Sequence, residues 1–187
     1  MMLLLAALLC ISSVESLYRC PQFTTEWDSG PIVSECNTDK VHTLKIVNIS
    51  VLNDHKGYQY PINFKHTVVF KMDVVNYGTE VTPNVAYIDI EGYAQVVYFN
   101  CRWYPFPTYG FLDGITFPCD GCPVKPGNGT FTLTANLAWA TYGALNYMPD
   151  GDLFAVNIAL ADERDRSKEL ACVRIETIVG PSTFERT

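Results

Sequence analysis

The chain has 187 residues, and its 20 acidic and 13 basic side chains give it a formal net charge of −7. Without a basic stripe it has no means of displacing counterions from phosphates, which excludes nucleic acid as a partner. The negative charge also opposes tight adsorption to anionic membranes at neutral pH.

The chain opens with an apolar run over residues 1–16, MMLLLAALLCISSVES. The run has the length of a signal peptide, is too short to span a bilayer, and ends with short side chains at Val14 and Ser16. We therefore predict a signal peptide over residues 1–16 and a single domain over residues 17–187. The predicted location is extracellular, with the lysosome as the alternative.

Cysteine usage supports the same compartment. Removal of Cys10 with the signal peptide leaves six of the seven cysteines, an even number that predicts three disulfides in a secreted chain. Two sequons, at Asn48 and Asn128, predict N-glycosylation. Sequence spacing alone leaves the pairing open among Cys20, Cys36, Cys101, Cys119, Cys122 and Cys172.

The predicted strands are rich in β-branched and aromatic residues and are separated by Gly, Pro, Asn or Asp. Roughly seven strands without an amphipathic helix predict an all-β fold, an immunoglobulin-like antiparallel sandwich stabilised by disulfides. The predicted strands are Val41–Leu52, Phe64–Asn76, Val85–Glu91, Tyr93–Phe99, Thr130–Leu137, Leu153–Ala161 and Leu170–Val179.

Side-chain alternation predicts which residues face the core. From Thr130 to Leu137 apolar and polar residues alternate strictly, the pattern of a sheet with one face buried. In the first predicted strand a glycan on Asn48 has to face outward, which places Val47, Ile49 and Val51 inward. The charged segment 161–168 is predicted to be a solvated hairpin turn.

Two apolar segments lack the alternation of apolar and polar residues that is typical of a strand. Residues 99–117 carry seven aromatic residues among prolines and glycines, and residues 139–148 are also apolar. Because loops are usually polar, these segments are expected to be covered by the core or to touch a ligand or membrane.

No pattern typical of an enzyme occurs in the sequence. The three histidines, His42, His55 and His66, lie in no cluster with metal-ligand spacing and beside no nucleophile motif. Cys119 and Cys122 have the spacing of a redox motif, but they precede a strand, which favours structural disulfides. We therefore expect no catalysis, no cofactor and no metal.

The order of the cysteines and their neighbours resembles the ML lipid-recognition superfamily, and its ganglioside activators most closely. The resemblance is most specific over residues 113–133 and 153–180. The chain has one more residue between the paired cysteines than the family pattern. The matching positions are Trp27, Asp28, Cys36, Cys101, Cys119, Cys122, Pro123 and Cys172.

The resemblance implies a sandwich opened into a lipid-binding β-cup, because ordinary sandwiches fill the space between their sheets with side chains. Residues 139–148 fall where the activators have a membrane-contacting loop. The pairings it implies are Cys36 with Cys172, Cys101 with Cys122, and by default Cys20 with Cys119.

The expected function is therefore non-enzymatic extraction of a glycolipid, phospholipid or sterol from membranes, with transport or presentation to a lysosomal hydrolase. The partners are the lipid and, transiently, a membrane surface. The predicted cavity wall comprises Val68, Phe70, Met72, Phe131, Leu133, Phe154, Val156 and Ile158. The predicted cavity mouth and membrane contact comprise Trp103, Tyr104, Phe106, Trp139, Tyr142, Leu145 and Met148.

Two other functions compete with this one. A secreted β-sandwich interaction module with a filled core would use the same aromatic loops to bind a protein. A secreted lipid hydrolase would need carboxylates brought together by the fold.

Overall fold

The computed structural model describes residues 29–36, 40–94, 101–136 and 151–180. All regular structure within these residues is β-strand, which confirms the all-β prediction. The predicted signal peptide and Cys20 lie outside the described residues. The strands are β1 Ile32–Glu35, β2 Leu44–Leu52, β3 Thr67–Asn76, β4 Val85–Ala94, β5 Arg102–Pro105, β6 Ile115–Thr116, β7 Cys119–Asp120, β8 Gly127–Asn136, β9 Leu153–Ala161 and β10 Glu169–Ile178.

The strands form two sheets that face each other. Sheet A has the order β1-β10-β9-β4-β5, with β6 also paired to β4, and sheet B has the order β2-β3-β8-β7. All pairings between these strands are antiparallel, so the predicted antiparallel sandwich is confirmed. Strands β1 and β2, consecutive in the chain, lie at the edges of different sheets.

Strand prediction succeeded where apolar alternation is long. Strand β9 has the predicted bounds, and β2, β3, β8 and β10 begin or end within a few residues of theirs. The prediction of two separate strands, at Val85–Glu91 and Tyr93–Phe99, is wrong. Strand β4 is continuous through Gly92 and ends at Ala94. Residues 95–99 lie outside the described residues.

The core lies between the sheets and is built from the alternating inner faces of β3, β8, β4, β9 and β10. In β8, Phe131, Leu133 and Ala135 are buried while their neighbours are more exposed. Opposite them on β3, Met72 pairs with Phe131 and Phe70 pairs with Leu133. Each fully buried side chain of this size stabilises the fold by about 1.5–3 kcal/mol, so this layer is the main source of stability.

A β-bulge in β2 corrects one prediction. Ile46 pairs with Val74 and Asn48 pairs with Asp73, so Val47 is an extra residue in β2. Val47 is 63% exposed, and the prediction that it faces inward is wrong. The bulge shifts the alternation by one residue, so that Ile46 and Ile49 both face the core.

The disulfide between Cys36 and Cys172 confirms one predicted pairing. It joins the residue after β1 to β10, with Cα atoms 5.4 Å apart, and the Cys36 N–H donates to the Cys172 carbonyl oxygen. The bond fastens the edge strand of sheet A to its neighbour. Disulfides of this kind indicate an oxidising compartment.

The other predicted pairings are wrong. Cys119 is bonded to Cys122, with Cα atoms 5.7 Å apart, so neither cysteine is available to Cys101 or Cys20. Cys101 is also disulfide-bonded, but not to Cys122. The physical reason is the turn at Gly121, which has φ +89° and brings the two cysteines within disulfide distance.

The charged segment between β9 and β10 is an exposed hairpin turn, as predicted. The Asp162 and Asp165 carboxylates accept hydrogen bonds from the backbone N–H groups of Arg164 and Ser167, at 2.9 and 3.2 Å. These local bonds define the turn.

Candidate functional site

The eight residues predicted to form a cavity wall all lie on inner faces of β3, β8 and β9, and the structure brings them together in one cluster. None is more than 5% exposed. Side chains therefore fill the space between the sheets at these positions, as in an ordinary sandwich core. The residues are Val68, Phe70, Met72, Phe131, Leu133, Phe154, Val156 and Ile158.

The residues predicted to form a cavity mouth are distributed over several places. Phe106 packs inward, with its ring 5.8 Å from that of Phe154 in an edge-to-face arrangement. The Tyr104 ring stacks beneath the Arg102 guanidinium at 4.8 Å. Four others, Trp139, Tyr142, Leu145 and Met148, lie outside the described residues.

Trp103 lies on the outer face of sheet A. Its ring centroid is 5.2 Å from that of Tyr93 and 4.8 Å from the Arg174 guanidinium carbon. Arg174 alternates with buried Val173 and Ile175, which places its side chain on the solvent side of the sheet.

Arg174 forms a charged network across three strands. Its guanidinium donates to the Glu91 carboxylate at 2.9 Å, the Glu176 carboxylate at 3.0 Å and the Asn157 amide oxygen at 3.2 Å. Burial by itself lowers the pKa of Arg174, but the hydrogen bonds that it donates to Glu176 and Glu91 outweigh this effect, so the pKa of Arg174 is raised. The network holds the outer face of sheet A in one arrangement.

The sandwich is open along the side where β1 and β2 run. Val33 and Glu35 of β1 pair with Ile175 and Val173, whose side chains are buried, so they lie on the inner face at the edge of sheet A. A groove of about 500 Å³ separates them from Ile49 and the other inner residues of β2. We call it the edge groove. Its lining is Pro31, Val33, Ser34, Glu35, Ile46, Val47, Asn48, Ile49, Cys172 and Val173.

A second cavity of about 280 Å³ continues the edge groove toward the start of β2. Both cavities are lined by Glu35, Ile46 and Cys172. The second cavity adds the charged or polar side chains of Lys40, His42, Lys45 and Tyr77. The edge groove thus combines the apolar side chains of Val33, Ile46, Val47 and Ile49 with the polar ones of Ser34, Glu35 and Asn48, and the second cavity at this end is more polar.

Glu169, the first residue of β10, holds the polar end in place. Its carboxylate forms an ion pair with Lys40 and lies 2.8 Å from His42 Nε2. Burial by itself raises the pKa of Glu169, but the hydrogen bonds from Lys40 and His42 outweigh it. The pKa of Glu169 therefore lies below its ordinary value, and the carboxylate stays charged in mildly acidic solution.

Sequence reasoning missed the edge groove. The stretch Pro31–Val33 is too short to show the two-residue alternation of a strand. The bulge at Val47 breaks the alternation in β2, so the sequence pattern does not predict that Ile46 faces inward. The available signal was the three-residue spacing of Ile46 and Ile49, which fits one strand face only if an extra residue lies between them.

The two sequons lie on strands. Asn48 on β2 and Asn128 on β8 are both exposed, as attachment of a glycan requires. Asn48 also lies on the rim of the edge groove, where its amide donates to the Asp73 carboxylate at 3.4 Å.

Within the described ranges, no group of three or more His, Cys, Asp or Glu side chains is placed to hold a metal ion. In the same ranges, no helix is long and apolar enough to cross a membrane.

Comparison with known proteins assigns no family. No family model matches the sequence. No curated protein matches it either. Among solved structures, the C-terminal domain of wzt matches with a TM-score of 0.36 and 11% identity, over 89% of this chain and 90% of that one. At this TM-score the likeness carries no argument about function.

Proposed function

We propose that the protein is a non-enzymatic lipid-binding protein that takes an amphiphile from a membrane and carries it with its apolar chain in the edge groove. The candidate lipids are glycolipids, phospholipids and sterols. The proposed location is outside the cell or in the lysosome, where the carried lipid can be presented to a hydrolase.

The observation that carries the proposal is the amphipathic character of the edge groove. Its volume of about 500 Å³ falls in the range of small-molecule binding sites. Val33, Ile46 and Ile49 supply apolar contacts, and the polar end at Lys40 and His42 supplies hydrogen bonds. An amphiphile has the same two parts, an apolar chain and a polar headgroup.

The energetics favour the edge groove over the packed core as the lipid site. Each methylene that leaves water contributes about 0.8 kcal/mol, so a long chain needs an apolar surface to replace the bilayer. Opening the cluster around Phe131 would separate side chains that now bury each other. The edge groove offers apolar surface without that cost.

The test compares three valine variants. Val33→Glu places a charge in the edge groove, Val47→Glu places one at its rim, and Val41→Glu places one at a position that is 97% exposed and outside its lining. Binding of a fluorescent fatty acid, in solution without vesicles, is expected to weaken at least tenfold in the first two variants only. Since all three valines are partly or fully exposed, all three variants are expected to fold.

Native mass spectrometry after mild purification supplies the second measurement. A wild-type protein that carries no lipid and extracts none from liposomes would contradict the proposal and support the interaction module. Measurable turnover of a phospholipid or glycolipid would support the hydrolase.

A further inference from the structure

The segment 106–112, FPTYGFL, lies in the loop between β5 and β6 and is hydrogen-bonded to β4 of sheet A. Tyr109 at its tip is 81% exposed and Phe111 is 64% exposed. The segment contains no charged residue. We call residues 108–111 the aromatic tip.

The aromatic tip is held firmly at its base. The Phe106 N–H donates to the Ile90 carbonyl oxygen at 2.7 Å, and the Ile88 N–H donates to the Leu112 carbonyl oxygen at 3.0 Å. Leu112 is only 2% exposed and belongs to the core cluster. Both ends of the loop are therefore fixed to the same strand, and the exposed aromatic rings project from a rigid support.

The backbone of the aromatic tip is strained. Tyr109 has φ +51°, in the left-handed region that a non-glycine residue rarely occupies. This conformation costs on the order of 1 kcal/mol, and strained residues of this kind concentrate at functional sites. Because Tyr109 is so exposed, the strain is not balanced by burial of its ring in the free protein.

We infer that the aromatic tip inserts into the interfacial layer of an electrically neutral bilayer. Tyrosine rings favour the boundary between headgroups and acyl chains, and phenylalanine is common on apolar faces that insert at this boundary. The tip itself carries no charge and needs no anionic lipid, and both the Asp113 carboxylate beside Gly110 and the net charge of −7 oppose one. This inference goes beyond the proposed function and does not depend on it, because the aromatic tip and the edge groove are separate surfaces.

The small area of the aromatic tip favours a bilayer over a protein partner. Two partly exposed aromatic rings present about 300 Å² of surface. A specific protein interface buries about 800 Å² on each partner. Insertion into a bilayer needs no matching surface, so two projecting rings are sufficient.

The edge groove and the aromatic tip lie on different sides of sheet A. The edge groove is beside β1, and the loop that carries the tip is hydrogen-bonded to β4, which is separated from β1 by β10 and β9. Substitutions at one are therefore expected to leave the other intact, so the two proposals can be tested separately.

The first experiment measures sedimentation with phosphatidylcholine vesicles. The double variant Tyr109→Ser, Phe111→Ser is expected to bind about tenfold more weakly than the wild type. The matched control is the double variant Tyr58→Ser, Val41→Ser, which removes two apolar side chains that are 61% and 97% exposed and lie outside both cavities. Equal binding by wild type and tip variant, or equal loss in tip variant and control, would overturn the inference.

A glycine variant separates insertion from folding. Tyr109→Gly removes the ring and also relieves the strain at φ +51°, so its thermal stability is expected to equal or exceed that of the wild type. Its vesicle binding is nevertheless expected to fall several-fold. Wild-type vesicle binding by this variant would refute the insertion of Tyr109.

Binding of the soluble fluorescent fatty acid distinguishes the two proposals. If the tip variants bind it normally but lose vesicle binding, both proposals are supported. If the wild type binds vesicles through the tip but never binds the fatty acid, the proposed function fails and the inference holds. If the wild type binds the fatty acid but does not bind vesicles, the inference fails alone.

Discussion

His42 Nε2 lies 2.8 Å from Glu169 Oε1, so the segment that leads into β2 of sheet B is tied to the first residue of β10 in sheet A. The same carboxylate pairs with Lys40. Six residues before His42, Cys36 is bonded to Cys172. A covalent and an ionic link thus hold the chain on either side of its crossing between the sheets.

We predict that Glu169→Gln lowers the free energy of unfolding by about 1 kcal/mol at neutral pH, because hydrogen bonds to a charged group are lost. The pKa of Glu169 is lowered from 4.5 in the folded state, so this contribution is present above pH 4.5 and is lost as pH falls through the lowered value. Urea unfolding from neutral to acidic pH measures it. Glu35→Gln, at an exposed carboxylate on β1, is the control, and a pH-independent difference would contradict the prediction.

The two described disulfides are predicted to differ in their effect on stability. Cys36 and Cys172 are 136 residues apart, whereas Cys119 and Cys122 are separated by three. In the chain-entropy model, replacing the first pair with serine costs about 5 kcal/mol and replacing the second costs about 2 kcal/mol. Denaturant unfolding of the two double variants provides the comparison. A larger loss for the Cys119, Cys122 variant would show that this bridge stabilises the folded state in another way.

Gly121→Ala is predicted to destabilise the protein by about 2–3 kcal/mol. A Cβ atom at this position would lie 2.7 Å from the Thr130 carbonyl oxygen, and the backbone has φ +89°. Gly127→Ala is a matched control, because Gly127 has φ +98° but no atom within 4 Å of the added Cβ. Thermal unfolding of both variants isolates the steric clash. Equal losses would mean that the backbone conformation alone accounts for the effect.

Phe131→Ala is predicted to lower the free energy of unfolding by about 3–5 kcal/mol, because Phe131 is 1% exposed in a packed cluster. Phe111→Ala makes the same chemical change at a site that is 64% exposed, and it is predicted to cost less than about 0.5 kcal/mol. Denaturant unfolding in the absence of lipid is the measurement. A small loss for Phe131→Ala would indicate that its ring borders open space, as the β-cup prediction required.

Regular alternation made much of the fold predictable. In β8 every second residue from Phe131 to Ala135 is apolar and buried, so the strand and its buried face could be read from the sequence, whereas β9 is a nearly continuous apolar run. The four-residue strands β1 and β5 are too short to show a period. At Val47 the bulge adds one residue and reverses the predicted orientation.

The candidate site was harder to predict because it depends on contacts between distant segments. The edge groove is formed by β1, β2 and β10, and the alignment of Val33 with Ile175 follows from strand pairing and not from any local motif. The Cys119–Cys122 bond likewise depends on the φ of Gly121, which spacing does not reveal. Family resemblance supplied the correct Cys36–Cys172 bond and incorrect partners for Cys119 and Cys122.

The bulge in β2 has a consequence for self-association. Strand β2 is the outermost strand of sheet B, and a long regular edge would offer unpaired backbone groups to a second molecule. The extra residue at Val47 interrupts that row of donors and acceptors and increases the local twist of the strand. A second strand therefore pairs with it less easily. The bulge therefore helps to keep the molecule from joining edge to edge with its own copies at high concentration.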